Sequence, residues 1–290
     1  MLPIILIKGA MIGAVYASLA VGFSLVFGVA KIINLAHTAF FMLAAYAMYA
    51  LVMIYHWPIP ASMGVVLIGI SSLAIVVYLL FLDHIRAYEG AVILVTVAVA
   101  IVFQEILLLI FESTFLAVDP FVHGTVELFG VTLPKQELLI FSVTAACLVA
   151  VQLFLYKTRL GLSLRVTAQD RETANLMGIN VTWICLVSVI IAVALAAVAG
   201  AVVSPTLTIE PYMWSHPLVM MFAAVILGGL GSVKGSFIGA FILGYTEVLV
   251  VFLIPSGSFI KGSVAMIIMV IILLVRPEGL FGVFFEEERL

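Results

Sequence analysis

The stretch KTRLGLSLRVTAQDRETANLMGIN, Lys157–Asn180, gathers Lys157, Arg159, Arg165, Asp170, Arg171 and Glu172 between two long apolar runs. Across all 290 residues only 9% are charged and 66% are hydrophobic. A soluble domain carries about 25% charged residues, so the chain reads as an integral membrane protein and this island as a connector between spans. Asp170 has the chemistry of a helix N-cap, because its carboxylate can accept from the amides two and three residues on. Glu172 then lies in the first turn, where negative charge suits the helix dipole, and Gly178 is a natural left-handed stop. The expectation is a helix of roughly two turns, about 10 Å long at 1.5 Å per residue. Such a knob suits insertion into a partner. Ala174, four residues before Gly178 and on the same face, is small enough to let that face enter a groove.

Composition excludes several classes. A net charge of −3 gives no reason to expect nucleic acid as a partner. Cys147 and Cys185 lie inside apolar segments without a CxxC pattern, and no second histidine sits at ligand spacing from another, so neither disulfide nor metal site is expected. The pattern GxxxxGK[ST] is missing from the sequence, so the chain is expected to bind no cofactor and any ATP to be bound elsewhere. No paired carboxylates, nucleophile elbow or histidine cluster points to an enzyme. The first apolar segment is long enough to span and continues without a small-residue cleavage site, so no cleaved leader is expected.

A span needs about 20 mostly apolar residues. Candidate spans lie near 9–30, 38–55, 61–82, 90–111, 138–156, 183–204, 218–231, 236–254 and 261–275. The expected fold is therefore an all-α, polytopic helical bundle of eight or nine transmembrane helices, one domain over 1–290, with a short cytoplasmic coupling helix within 157–180. Two spans leave the count open. Residues 38–55 follow the first span with little polar linker, and 218–231 are short and glycine-broken. With nine spans and the amino terminus outside, Lys31, Arg86, Lys157, Arg159, Arg165, Arg171, Lys234, Arg276 and Arg289 fall inside. Lys8, Lys135 and Lys261 fall outside, which places the island in the cytoplasm. Two outer loops, Glu112–Glu137 and Pro205–Pro217, either dock a partner or merely cross the interface, where Tyr212 and Trp214 are natural anchors.

Gly228–Gly244 reads GGLGSVKGSFIGAFILG. Gly231, Gly235 and Gly239 recur at every fourth position, with Gly228, Gly229 and Gly244 beside them, as one face of a helix that admits a close neighbour. The alternative is a discontinuous helix whose ends face a central pathway. Polar groups inside spans are few: Gln104, Glu105, Gln152 and Glu247, with Asn34 and His37 at the first junction. Because desolvation makes such groups costly, Asn34, His37, Gln104 and Glu247 are candidate pathway residues, or else hydrogen-bond between helices. Asn34 and His37, three apart, would share one helix face.

Four stretches carry a resemblance. Glu172-Thr173-Ala174, three residues and Gly178 look like the proximal half of the E-A-A-x-x-x-G signature of bacterial ABC-importer permeases, with Thr173 in place of an alanine. LRVTAQDRETANLMGIN, GVAKIINLAHTAFFMLAAY (Gly28–Tyr46), AVILGGLGSVKGSFIGAFILG (Ala224–Gly244) and RPEGLFG (Arg276–Gly282) resemble segments of the branched-chain amino-acid ABC importer permeases, the LivH/LivM type and closer to LivH. The resemblance runs in order through nearly the whole chain. Thr38-Ala39 stands where the family usually has Gly-Glu, and the loop Asp83–Glu89 is shorter than usual. The resemblance implies a multi-pass subunit of a bacterial or archaeal inner membrane. It also implies four kinds of neighbour: a second homologous permease, two cytoplasmic ATP-binding subunits, an extracytoplasmic substrate-binding protein and membrane lipid. On that reading the ATPase-coupling loop is Arg165, Ala168, Gln169, Asp170, Arg171, Glu172, Ala174 and Gly178. Related importers of urea, short amides or simple sugars are the alternative within the class. An autonomous secondary transporter or channel is the alternative outside it, and would call for a charged relay across several spans.

Overall fold

A computed structural model describes residues 2–86, 88–128, 130–255 and 257–281. Arg289 and Gly282, which took part in the charge count and the closing motif, lie outside the described residues. The chain enters as α1 (Leu2–Ala30), a 29-residue helix. Lys31 then takes a left-handed φ of 51°, and residues 31–36 run unwound before α2 (His37–Tyr49) and a π-helical turn, Ala50–Ile54. Pro58 stops continuation from the preceding turn and starts α3 (Ile59–Val77), which runs through a second π-helical turn (Tyr78–Leu82) into α4 (Asp83–Ile85). Next comes α5 (Glu89–Phe111), then a two-stranded antiparallel ribbon of β1 (Thr125–Leu128) and β2 (Val131–Pro134) turning at Gly130. After α6 (Lys135–Lys157) the polar island forms two helices, α7 (Arg159–Gln169) and α8 (Arg171–Leu176). The chain closes with α9 (Val181–Val203), α10 (Ser215–Gly228), α11 (Val233–Leu253) and α12 (Gly257–Val275).

Eight helical segments among the described residues are long and apolar enough to cross a membrane, including the doubtful one at His37–Ile54. The other doubtful segment, α10, has 14 residues, about 21 Å at 1.5 Å per residue, well short of a hydrocarbon core of about 30 Å. The second of the two open spans is thus too short to cross by itself. Two expectations are corrected. Gly231 is not on a helix face: Gly229 and Gly231 take φ of 100° and 81° in the turn between α10 and α11, where a side chain would be strained. Asn34 shares no helix face with His37, because it sits in the unwound stretch, where its Oδ1 accepts from the amide of Ala36 at 3.1 Å. The all-helical bundle also carries the small β1–β2 ribbon at one end.

The core gathers around α1 and α9. In the spanning window of α9, 72% of residues are buried, against 6% in α12. Small residues let the central backbones meet, as helix association in lipid favours. A Cβ on Gly200 of α9 would run into the backbone of Phe41 in α2, and one on Gly244 of α11 would lie 2.5 Å from the amide of Gly13 in α1. Gly228, Gly235 and Gly239 do the same for the α10–α11 hairpin, each facing the other helix's backbone with no room for a side chain. The close-packing reading of these glycines therefore holds on both sides of the turn that separates α10 from α11.

Candidate coupling site and cavities

The island folds from its own local chemistry. Thr158 caps α7 by accepting from the amide of Gly161 at 2.9 Å. Asp170 ends α7 and caps α8, its Oδ1 accepting from the amides of Glu172 at 2.8 Å and Thr173 at 3.1 Å. The Thr173 hydroxyl also donates to Asp170 Oδ2. Those bonds, led by the Thr173 hydroxyl, hold the Asp170 carboxyl below its ordinary value. At the other end Gly178 has φ of 81°, its amide donates to Asn175 O and that of Ile179 to Ala174 O, both at 3.0 Å. This paired closure satisfies two carbonyls that a helix end would otherwise leave open.

The exposed face of α8 differs from the one expected. Ala174 is fully buried, so it fills the contact between α8 and its own chain and does not enter a partner's groove. Leu176 and Met177 instead project, 87% and 72% exposed, at the tip of the turn. Two large apolar side chains held out of the bundle on a capped helix are costly unless something covers them.

Arg171 ties this knob to the core. Its Nε and Nη2 donate at 2.9 and 2.8 Å to the carbonyl of Val29, in the last turn of α1, and Nη2 also reaches Cys185 Sγ of α9 at 3.6 Å. A guanidinium on open C-terminal carbonyls complements the helix dipole as well. Nearby, burial and the Arg171 charge lower the Lys31 ammonium below its ordinary value. The four motif stretches meet at this end. Gly28 approaches the Gly231 carbonyl, where a Cβ would sit 3.3 Å away. The amides of Leu280 and Phe281 donate to Leu227 O at 2.8 Å and Gly228 O at 3.0 Å, closing the end of α10. We call this the basic end, and the opposite one the far end.

Two cavities lie along α1. The far-end cavity, about 290 Å³, has walls of Met11, Val15, Leu19, Phe41, Ile140 and Val203. Its polar lining is Lys8, Tyr16, Glu137, His216, Glu247 and Lys261. Glu247 is 3% exposed, and both of its oxygens are engaged at 2.5 Å, Oε1 by Lys261 Nζ and Oε2 by the Tyr16 hydroxyl. Lys8 donates to Glu137 at 3.3 Å. Lys8 was expected just outside the first span; it lies within α1, where Glu137 offsets its charge. Of the four candidate pathway residues, only Glu247 lines either of these two cavities. Asn34 caps its own turn. His37 is buried beside Gly22 with no hydrogen-bond partner for Nε2 among the described residues. Gln104 accepts from Trp214 Nε1 at 2.8 Å, so Trp214 ties the loop before α10 to α5. The loops 112–137 and 205–217 are themselves joined, Leu116 and Ile209 exchanging amide bonds at 3.0 and 2.9 Å. Sequence reasoning missed Lys261, near the start of α12, and Tyr16, a lone hydroxyl midway along α1, and the reach of Arg171 to Val29 across 142 positions. A basic-end cavity of about 310 Å³ lies between α1, α6, α7 and α11.

Comparison with known proteins agrees with this arrangement. The family described as "Branched-chain amino acid transport system / permease component" matches residues 5–275. The chain is 28% identical over 292 residues to the high-affinity branched-chain amino acid transport system permease protein BraD of Pseudomonas aeruginosa, covering 96% of this chain and 94% of that protein. It is 28% identical over 298 residues to the LivH permease of that system in Escherichia coli, covering 95% and 94%. To a probable LivH permease of Methanocaldococcus jannaschii it is 30% identical over 280 residues, covering 91% and 88%. With eight helices among the described residues long and apolar enough to cross a membrane, and a match that runs almost end to end, the chain belongs to the family of branched-chain amino acid transport permease components.

Proposed function

We propose that this chain is the permease subunit of an ATP-driven, binding-protein-dependent importer of branched-chain amino acids. It works with a second permease chain, two ATP-hydrolysing subunits at the basic end, which is cytoplasmic, and a substrate-binding protein at the far end. The observation that carries this reading is the α8 knob: Leu176 and Met177 exposed on a capped helix whose first residue, Arg171, is latched to α1. The apolar pair offers the ATPase a seat, and the latch passes its displacement to the core. ATP is bound and hydrolysed by those partners, and this chain supplies the pathway. The far-end cavity suits the solute, since apolar walls with charges of both signs match an aliphatic zwitterion. Glu247 is its pathway residue. The relatives are branched-chain amino acid permeases, which favours these solutes over urea, amides or sugars.

The test is uptake by proteoliposomes holding the assembled complex, with binding protein on one side and ATP on the other. Radiolabelled leucine, isoleucine or valine accumulates only with both present. Accumulation without ATP, or of urea or a sugar in their place, overturns the reading. Cysteines at positions 123 and 170 settle the sidedness: an impermeant reagent applied to whole cells labels 123 and spares 170.

A further inference from the structure

The basic-end cavity is built unlike its counterpart. Its polar lining is Ser24, Gln152, Arg165, Gln169 and Lys234, with Tyr156 beside them. No carboxylate lines it, whereas Glu137 and Glu247 balance the two lysines at the far end. Arg165 Cζ and Lys234 Nζ lie 4.8 and 5.9 Å from the centroid of the same Tyr156 ring. Neither forms a salt bridge among the described residues. Arg165 donates its Nε–H to Leu155 O at 3.0 Å, leaving its Nη groups without a partner among those residues. Two like charges gathered on one ring repel unless an anion or water lies between them. Ser24 adds an independent sign: it is fully buried, lines the cavity, and its hydroxyl has no hydrogen-bond partner. Such a group is normally satisfied.

The opening indicates what enters. Gln152, Tyr156 and Lys234 are exposed, so the cavity is open between α6 and α11. The same faces continue as apolar rows. Val149 and Leu153 lie seven and three positions before Tyr156, and Phe237 and Ile238 three and four after Lys234, all exposed. Residues at these spacings share a helix face, and these helices span the membrane. An occupant therefore meets cations at the membrane boundary and hydrocarbon-like surface beyond it. Basic cavities between spans are the chemistry that takes anionic lipid headgroups.

We infer that this cavity binds the headgroup of an anionic phospholipid from the leaflet at the basic end. The phosphate lies between Arg165 and Lys234, a headgroup oxygen accepts from Ser24, and the acyl chains follow the apolar rows of α6 and α11. Since Arg165 belongs to α7, the lipid ties the segment that carries the knob to two spans. This site is independent of which solute is transported.

The experiment uses the complex as purified from its membrane, delipidated and then titrated with phosphatidylglycerol, phosphatidylcholine or inorganic phosphate. Retained lipid is read by native mass spectrometry and stabilisation by the melting temperature. Phosphatidylglycerol is expected to be retained at one molecule per permease chain and to raise the melting temperature, which the other two additions leave unchanged. R165Q/K234Q should weaken retention at least tenfold. K234Q alone, a change at an exposed position, should weaken it several-fold with an unaltered lipid-free melting temperature, which separates loss of the site from loss of the fold. Three results overturn the inference: equal retention by wild type and K234Q, an equal shift with inorganic phosphate, or equal retention of phosphatidylcholine. Equal retention by K234Q would also be the outcome if a second permease covered this face.

Discussion

Replacing both knob residues, Leu176→Ser with Met177→Ser, isolates docking from folding, because neither side chain is buried in the chain itself. Burying a Leu or Met side chain completely contributes about 1.5–3 kcal/mol. Scaled by exposures of 87% and 72%, the pair offers roughly 2–5 kcal/mol when a partner covers it. Ordering two flexible side chains costs about 1–2 kcal/mol of this. The remainder, about 1–3 kcal/mol, corresponds to a five- to hundredfold weaker hold on the ATPase at 1.4 kcal/mol per tenfold. The caps of α8 involve Asp170, Thr173 and the backbone around Gly178, so the helix should persist. The assay is the affinity of purified ATPase for the permease in detergent, followed by uptake at matched expression. Asn175→Gln, an exposed change in the same helix, serves as control. Wild-type affinity and uptake in the double variant would refute the idea that these side chains seat the ATPase.

Other outcomes follow from the same geometry. Gly178→Val forces a β-branched residue to φ of 81°, at a cost of about 1–2 kcal/mol. Transport should fall while membrane insertion, read by expression level, survives. Glu247→Gln leaves Lys261 facing the cavity without its counter-charge. Lys261 is 35% exposed, so water tempers a loss that reaches about 3–5 kcal/mol for a fully buried pair. The melting temperature in detergent should drop and partly recover in Glu247→Gln/Lys261→Met, and no recovery would mean the pair is not coupled. Gly228→Val meets the backbone of Gly235, and overpacking of about 1–3 kcal/mol or more should lower both expression and melting temperature. The Asp170 carboxyl is held below its ordinary value, so its capping contribution is complete above the ordinary carboxylate range and fades only as pH falls through the lowered value. Between pH 5 and 8 the protection of the α8 backbone amides, their exchange relative to the unfolded-chain rate at each pH, should therefore not change.

What could be read in the sequence was local. The Asp170 cap, Glu172 in the first turn, the Gly178 stop and the half-length of α10 depend on neighbours a few positions away, and each formed as expected. The β1–β2 ribbon had a local signal too, Gly130 between two short β-prone runs, but it stood inside a segment read as loop. What stayed hidden was settled by distant partners. Ala174 is buried because α8 folds back on its own bundle, and periodicity within six residues cannot show that. Asn34 looked helical because its spacing to His37 fits a turn, while the break at Lys31 depends on how α1 ends against Arg171. Lys261 and Tyr16 acquire meaning only through Glu247, 14 and 231 positions away.

The latch on Val29 gives α1 a mechanical character. From Val29 to Lys8 the helix rises over 21 residues, about 32 Å at 1.5 Å per residue. If α8 pulls on the Val29 end and the helix pivots there, a swing of roughly 5° carries Lys8 through about 3 Å over that length. That distance matches the Lys8–Glu137 separation of 3.3 Å, enough to part the pair. The same helix walls both cavities, with Tyr16 and Leu19 at one and Ser24 and Gly28 at the other. A lever hinged at the knob would thus reshape the far chamber while the near one, where Ser24 moves by under about 1 Å in the same swing, is almost held, with a single rigid rod as the moving part.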